Sequence, residues 1–386
     1  MKRGGGYYEF FAGGGMARMG LGPNWRPLLA NDCDAKKNAA YRRNWGTDEP
    51  LATRPVQELA ASDLPACAEL AWASFPCQDL SLAGGGAGLA GQRSGSFWAF
   101  WGLMQSLANE GRAPQCVVLE NVAGLLTSHH GQDFRALAQA LQEGGYRFGA
   151  LLMDAVDFLP QSRPRLFIVA VLRGESLPAE LASDSPSEHF HPLALRQAYE
   201  RLGEDLQRDW VWWRLPKPAA RDIDLADCIE AEPTGVKWHT PEETLRLLSM
   251  MDAKHRAKLG QAQAAQQPMV GTIYRRTRVC DGQRMQRAEV RFDGVAGCLR
   301  TPGGGSSRQT LIFVDGDSVH TRLLSVREAA RLMGLPDSYQ LPARYNEGYH
   351  LIGDGVAVPV VRYLAAHLLE PLLAQTTLRD RTSVSA

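Results

Sequence analysis

The 386-residue sequence contains no Cys-x-x-Cys pair. Its seven cysteines, at 33, 67, 77, 116, 228, 280 and 298, are an odd number, which argues against a disulfide framework and a zinc ribbon. Long apolar runs are missing too. The longest, Leu166–Leu172, falls far short of the ~20 residues of a membrane-spanning helix. At the start, Lys2-Arg3 leads into Gly4-Gly5-Gly6, so no secretory signal is read and reduced thiols in a cytoplasm are expected. Neither sign of charge is in excess, 42 Lys and Arg against 42 Asp and Glu, so net charge gives no argument for nucleic acid. His129-His130 and His189/His191 lack the partners of a ligand set, and no metal is expected.

What is present is globular: 45% hydrophobic and 22% charged residues leave ample chain for a buried core. The first 172 residues alternate between strand and helix patterns. Strands are expected over Tyr7–Phe11, Arg26–Ala30, Glu69–Ser74, Gln115–Leu119, Tyr146–Met153 and Leu166–Leu172, with helices over Ser96–Asn109 and Gln132–Glu143. Such alternation implies an α/β fold with a doubly wound, mostly parallel sheet. Ligands of such sheets bind outside the carboxyl ends of the strands, where Gly13, Asp32, Cys77 and Glu120 fall.

The pattern loses its regularity after a Ser/Pro/acidic connector at 174–192. Residues 184–320 are therefore expected to form a second, smaller, irregular domain between a first part (1–183) and a return to it (321–386). Ser325, with Glu328 three residues on, signals a helix start. Charge is uneven here. Residues 184–253 carry 8 Lys/Arg and 14 Asp/Glu, whereas 254–310 carry 11 Lys/Arg and 3 Asp/Glu. The basic block, with Arg275, Arg276 and Arg278 at its densest point, suits a phosphate backbone. A solvated surface balancing the acidic block accounts for it equally well.

Four short segments carry the chemistry. In Phe11-Ala12-Gly13-Gly14-Gly15, a Gly-rich turn after the first strand lets backbone approach a ligand. Arg18 stands where a dinucleotide fingerprint needs its last Gly, which weakens a pyrophosphate seat, while Asp32 suits ribose hydroxyls. Phe75-Pro76-Cys77-Gln78 puts a thiol after a Pro-fixed turn, a place for a nucleophile, though a buried inert Cys is the commoner case. Glu120-Asn121 offers a carboxyl at a strand end. In Gln161-x-Arg163-x-Arg165 alternate residues share one face of extended chain and form a donor array.

Taken in this order, the segments strongly resemble those of the DNA (cytosine-5)-methyltransferase family, whose late motifs are matched by Arg322–Tyr339 and Gly353-Asp354-Gly355-Val356. The resemblance implies a Rossmann-like, S-adenosylmethionine-dependent methyltransferase whose variable segment recognises the target. It is expected to be a monomeric bacterial or phage modification enzyme, acting on duplex DNA without metal or membrane. Implied catalytic residues are Cys77, which attacks C6 of a flipped cytosine, Glu120 at N3, Arg165 at O2, and Arg163 in support. Implied cofactor residues are Phe11, Ala12, Gly13, Gly15, Asp32, Cys33, Glu58, Asp354 and Gly355. Pro76, Gln78, Asn121, Gln161, Arg275, Arg276 and Arg278 are implied on the DNA side. Asp354 departs from the family's usual Asn, and weaker cofactor binding is expected from the added carboxylate. The RNA-methylating branch shares the core motifs, but its recognition segment is shorter. A nucleotide-dependent oxidoreductase is disfavoured by Arg18.

Overall fold

A computed structural model describes residues 5–76, 95–280, 283–301 and 308–374. Its contacts divide the chain into two units. One comprises 1–154, 164–218 and 356–386; the other comprises 155–163 and 219–355.

The first unit is built on seven strands: β1 (Gly6–Phe10), β2 (Arg26–Asn31), β3 (Leu51–Ala52), β4 (Leu70–Ala73), β5 (Cys116–Asn121), β6 (Tyr146–Asp154) and β7 (Pro164–Leu172). Their order across the sheet is β3-β2-β1-β4-β5-β7-β6. Neighbours from β3 to β5 run parallel, and β7 lies antiparallel between β5 and β6. The strands β1, β4 and β5 are buried throughout, as expected of parallel strands covered on both faces. Chain order reverses between β1 and β4, the switch point at which open α/β sheets leave a crevice.

Helices follow from local pattern. After α1 (Met16–Leu21), α2 (Ala35–Trp45) starts where the Asp34 carboxylate accepts the amides of Lys36 and Lys37. In α3 (Ser96–Asn109), Phe97, Phe100, Trp101, Met104 and Leu107 form the buried stripe. In α4 (Gln132–Glu143) the stripe is Phe134, Leu137, Ala138 and Leu141, and the left-handed Gly145 (φ 84°) follows its end.

The tryptophan cluster at 210–213, expected in the second domain, packs in this first unit. Between β6 and β7 on one side and this segment on the other, Phe148 donates to Asp209 O and Val211 to Phe148 O (2.9 and 2.8 Å). Gly149 is needed there because a Cβ would collide with the Val211 carbonyl oxygen. The short strands β8 (Ala182–Ser183) and β9 (Trp212–Trp213) pair, and α5 (Leu193–Glu200) and α6 (Glu204–Gln207) lie between them in the chain.

The second unit is not irregular, as the sequence pattern suggested. It holds a four-stranded antiparallel sheet in the order β11-β10-β12-β13, from β10 (Met269–Cys280), β11 (Gln283–Arg291), β12 (Thr310–Asp315) and β13 (Ser318–Leu323). Long arginine-rich strands masked its alternation. Leu247 of α7 (Pro241–Ser249) and Leu259 and Ala262 of α8 (Ala253–Gln263) pack with Ile273, Ala288, Val290, Ile312 and Val314. The expected capping box is formed at α9 (Val326–Arg331), with Ser325 Oγ accepting from Glu328 N and the Glu328 carboxylate from Ser325 N. Glu328 also holds Arg322 in a fully buried bidentate pair (2.6 and 2.8 Å). The stretch Tyr345–Ala374 is apolar and long enough to cross a membrane by composition. It breaks, however, between α10 (Tyr345–Asp354) and α11 (Val358–Leu364), and Val361, Leu364, Leu368 and Leu369 are buried.

Candidate active site

In the first unit the carboxyl ends of β1, β2, β4 and β5 bring together most of the residues singled out from the sequence. After β1 the chain turns through left-handed backbone at Phe11 (φ 60°), Gly13 (φ 57°) and Gly15 (φ 78°). A non-glycine residue there is strained by roughly 1–3 kcal/mol and persists only where its surroundings hold it. Four hydrogen bonds do so. Ala12 N donates to Asn31 O (2.9 Å) and Gly15 N to Ala12 O (2.8 Å). Gly13 N donates to Asp32 Oδ2 (2.9 Å), and Trp45 Nε1 to Gly14 O (3.1 Å). At Gly15 a Cβ would collide with the Trp45 indole, so glycine is required by space as well as by φ.

Asp32, buried at the end of β2, is held by its neighbours rather than hanging in a cleft. Besides Gly13, its Oδ1 accepts from Asp34 N (2.8 Å), and its carbonyl accepts from Asn38 Nδ2 (2.9 Å). Each carboxylate oxygen retains a second lone pair for a ligand hydroxyl. Cys33 is exposed beside it, its thiol pushed up by desolvation and by the Asp32 charge. A Cβ on Gly13 would meet no heavy atom within 4 Å. An open backbone turn next to an acceptor carboxylate fits an adenosine-bearing methyl donor. Glu58 is exposed on the single turn Val56–Glu58.

Near the turn lies a partly buried polar cluster that sequence reasoning missed. Arg18, read only as a missing glycine, donates to Tyr41 Oη (3.0 Å) and Glu49 Oε1 (2.9 Å) and lies 4.4 Å from the Trp45 ring centroid. Glu9 is buried in β1, its carboxyl pushed up to about 8 by desolvation, against the pull of Arg18. One signal was available: an acidic residue inside a strand that is otherwise Gly, Tyr, Tyr and Phe.

At the next two strand ends, Phe75 is buried and Pro76 half-buried, and the chain continues into Cys77 and Gln78, which lie outside the described residues. Asn121 Nδ2 donates to Phe75 O (3.3 Å), and Asn121 Oδ1 accepts from Val122 N (2.8 Å). Asn121 thus ties the end of β5 to the backbone two residues before Cys77. Glu120, at the end of β5, meets Arg165 of β7, with Nε 3.2 Å from Oε1 and both side chains mostly buried. The antiparallel register, Asn121 opposite Leu166, sets this pairing.

Arg163 and Gln161 belong to the second unit. Arg163 is buried and donates to the carbonyls of Leu299 (2.7 Å), Gly353 (2.8 Å) and Gly355 (2.7 Å). Gln161 is fully buried, with Nε2 on Leu332 O (2.6 Å) and Oε1 on Leu299 N (3.1 Å). Both therefore clamp backbone within their own unit. Asp354, exposed at the end of α10, accepts a hydrogen bond from Thr301 Oγ1. Arg275, Arg276 and Arg278 are exposed on β10. Among the described residues no group of three or more His, Cys, Asp or Glu could hold a metal ion.

A doubly wound α/β sheet with a glycine turn, an acidic second-strand end and a Glu–Arg pair at the end of β5 has the layout of a Rossmann-like methyltransferase. The chain belongs to the C-5 cytosine-specific DNA methylase family, whose model matches residues 7–370. It is similar to the Type II methyltransferases M.NlaX of Neisseria lactamica and M.HpaII of Haemophilus parainfluenzae. These are 23% and 22% identical over 95% of this chain, and over 96% and 89% of their own lengths. Among solved structures it resembles the Dnmt2 methyltransferase of S. pombe (TM-score 0.58, 19% identity, 96% of this chain and 99% of that one). Entamoeba histolytica EhMeth is similar at a TM-score of 0.60 and 14% identity, with the same coverage. The family makes the chain a DNA cytosine-5 methyltransferase.

Proposed function

We propose that the protein transfers a methyl group from S-adenosylmethionine to C5 of a cytosine within a particular duplex sequence, through a covalent adduct on Cys77. The observation that carries this reading is the Glu120–Arg165 pair at the end of β5. Cytosine presents O2 and N3 as adjacent acceptors, and a guanidinium beside a protonated carboxyl is a matching pair of donors. Cys77 follows the strand end that Asn121 anchors.

In this mechanism the Cys77 thiolate adds to C6 while Glu120 gives a proton to N3 and Arg165 holds O2. The electron pair of the C5–C6 double bond becomes available at C5. Ala12, Gly13 and Gly15 would hold S-adenosylmethionine, which would supply the methyl group that C5 takes up, its S–CH3 bond breaking to leave S-adenosylhomocysteine. Loss of the C5 proton to a base then re-forms the C5–C6 double bond as Cys77 leaves, and the N3 proton returns to Glu120. Because C6 is closed off inside a stacked duplex, the nucleotide must rotate out, at a few kcal/mol.

Ala12, Gly13 and Gly15 would shape the donor seat, with Phe11, Asp32 and Cys33 around it; Asp32 would receive ribose hydroxyls. Arg163 and Gln161 act as positioning residues rather than as contacts to the base. Target recognition is assigned to the part of 184–320 that lies in the second unit, from residue 219 onward.

The test is a duplex carrying 5-fluorocytosine at the target. Fluorine cannot leave as a proton does, so the protein should remain attached through Cys77 after denaturation, and Cys77→Ala should form no adduct. Labelled methyl transfer to tRNA in preference to duplex DNA, or turnover by Cys77→Ala, would overturn the reading.

A further inference from the structure

Beyond its pairing with β12, which ends at Ile273, strand β10 runs on through Tyr274–Cys280, paired among the described residues only with β11. These seven residues make a two-stranded ribbon roughly 23 Å long at ~3.3 Å per residue. Residues 275–279 and 283–286 are exposed on both faces of it. An isolated two-stranded ribbon is marginally stable in water, and B-DNA's major groove is wide enough to admit one.

The register sorts its side chains. Arg276 lies opposite Arg287, Arg278 opposite Met285, and Tyr274 opposite Glu289, so these residues share one face. Arg275, Thr277 and Val279 lie on the other face, which continues into the buried Ile273, Ala288 and Val290. On the first face a single carboxylate holds two guanidiniums. Glu289 Oε1 accepts from Arg278 Nε (2.7 Å) and Nη2 (2.5 Å), and Glu289 Oε2 lies 3.3 Å from Arg276 Nε. Arg276 also packs over the Tyr274 ring, 5.6 Å from its centroid.

A row of phosphates presents only acceptors and negative charge, so a carboxylate between two arginines is misplaced against it. Base edges differ. Guanine offers two acceptors, N7 and O6, suited to a guanidinium, and cytosine offers an N4 donor, suited to a carboxylate. The order Arg, Glu, Arg reads as donor, acceptor, donor. We infer that Arg276, Glu289 and Arg278 together read guanine and cytosine edges in the major groove of the target duplex. Glu289 is the positioning residue that fixes both guanidiniums and accepts from the cytosine amino group between them. This rests on the proposed action on duplex DNA and adds the class of target: a site with G·C pairs beside one another.

The experiment incubates the full chain and its variants with S-adenosylmethionine and a library of randomised duplexes, then sequences the methylated cytosines. Binding is measured at several salt concentrations in parallel. The wild type should prefer G·C pairs at neighbouring positions. Arg278→Ala and Arg276→Ala should each relax preference at one guanine position by on the order of ten- to a hundredfold. Arg278→Lys should fail to restore it, because an ammonium cannot grip N7 and O6 as a fork. Glu289→Gln should relax the intervening cytosine and both guanine positions. An unchanged circular dichroism spectrum and thermal unfolding midpoint in each variant show that the fold is intact.

If the arginine variants instead weaken all sequences alike, with the log–log salt slope falling by about 0.9 per residue and lysine restoring binding, the contacts are to phosphate and the inference is overturned. It is likewise overturned if no sequence is affected. Failure of the wild type to methylate any duplex removes the functional reading itself, and this inference with it.

Discussion

Replacing Glu9 by glutamine should change how stability depends on pH, and the size of the change follows from its burial. The carboxyl is fully buried, with Tyr7, Tyr41, Arg18 and Asp32 as its electrostatic neighbours, and its Oε2 has no hydrogen-bond partner among the described residues. Desolvation dominates and raises its pKa from an ordinary 4.5 to about 8. In the unfolded chain the group ionises above about 4.5; in the folded protein it holds its proton until about pH 8. Between those values folding takes up a proton, so stability falls as pH rises, at ~1.4 kcal/mol per pH unit. The loss is about 3 kcal/mol by pH 7 and saturates near 5 kcal/mol above pH 8, as an order of magnitude. Glutamine has the same shape and no such titration. Glu9→Gln should therefore differ little from wild type at pH 5 and exceed it by about 3 kcal/mol at pH 7. Urea unfolding of both proteins at pH 5, 6, 7 and 8 measures this difference. A difference that stays constant with pH would mean that Glu9 is ionised in the fold and would refute the reasoning.

Three further substitutions probe the site and its support. Asp32→Ala removes the acceptor of Gly13 N and should weaken S-adenosylmethionine binding by roughly 1.5–3 kcal/mol; calorimetric titration showing unchanged affinity would take Asp32 out of the donor seat. Asp354→Asn should tighten donor binding if the extra carboxylate opposes it, and the same titration decides, with no change or a loss counting against that idea. Arg165→Ala should slow methyl transfer on the order of ten- to a hundredfold, the worth of a hydrogen bond to a charged group, while donor affinity holds. Single-turnover rates at saturating DNA distinguish that from a mere loss of binding.

Much of the first unit was legible because its strands are continuous apolar runs and its helices carry clear stripes. Ser96–Asn109 and Gln132–Glu143 have the ends expected of them. The antiparallel sheet of the second unit was not legible. Its β10 and β11 alternate in a ribbon exposed on both faces, where arginine replaces the apolar half of the pattern. Residues 210–213 fall in the stretch expected as a second domain because its pattern is irregular, whereas their backbone bonds to Phe148 place them with β6. At the site, the residue types at strand ends were readable from spacing. Their partners were not, because the Glu120–Arg165 contact depends on an antiparallel register and Arg18 depends on the distant Tyr41 and Glu49. Gln161 and Arg163 looked like a donor array with Arg165, yet the chain passes from one unit to the other at Pro164 and their donors go to backbone.

Helix α1, which follows the glycine turn, packs on α11: a Cβ at Gly20 would collide with Val361, and Arg362 donates to Leu21 O. On a ribosome adding roughly 5–20 residues per second, α1 emerges some 20–70 s before the residues that cover it. During that interval α1 exists without its packing partner, and the side of it that Val361 covers is open to other chains. Release of a shortened product ending before Val356 would make that exposure permanent. The packing of α1 is thus completed only once α11 has been made.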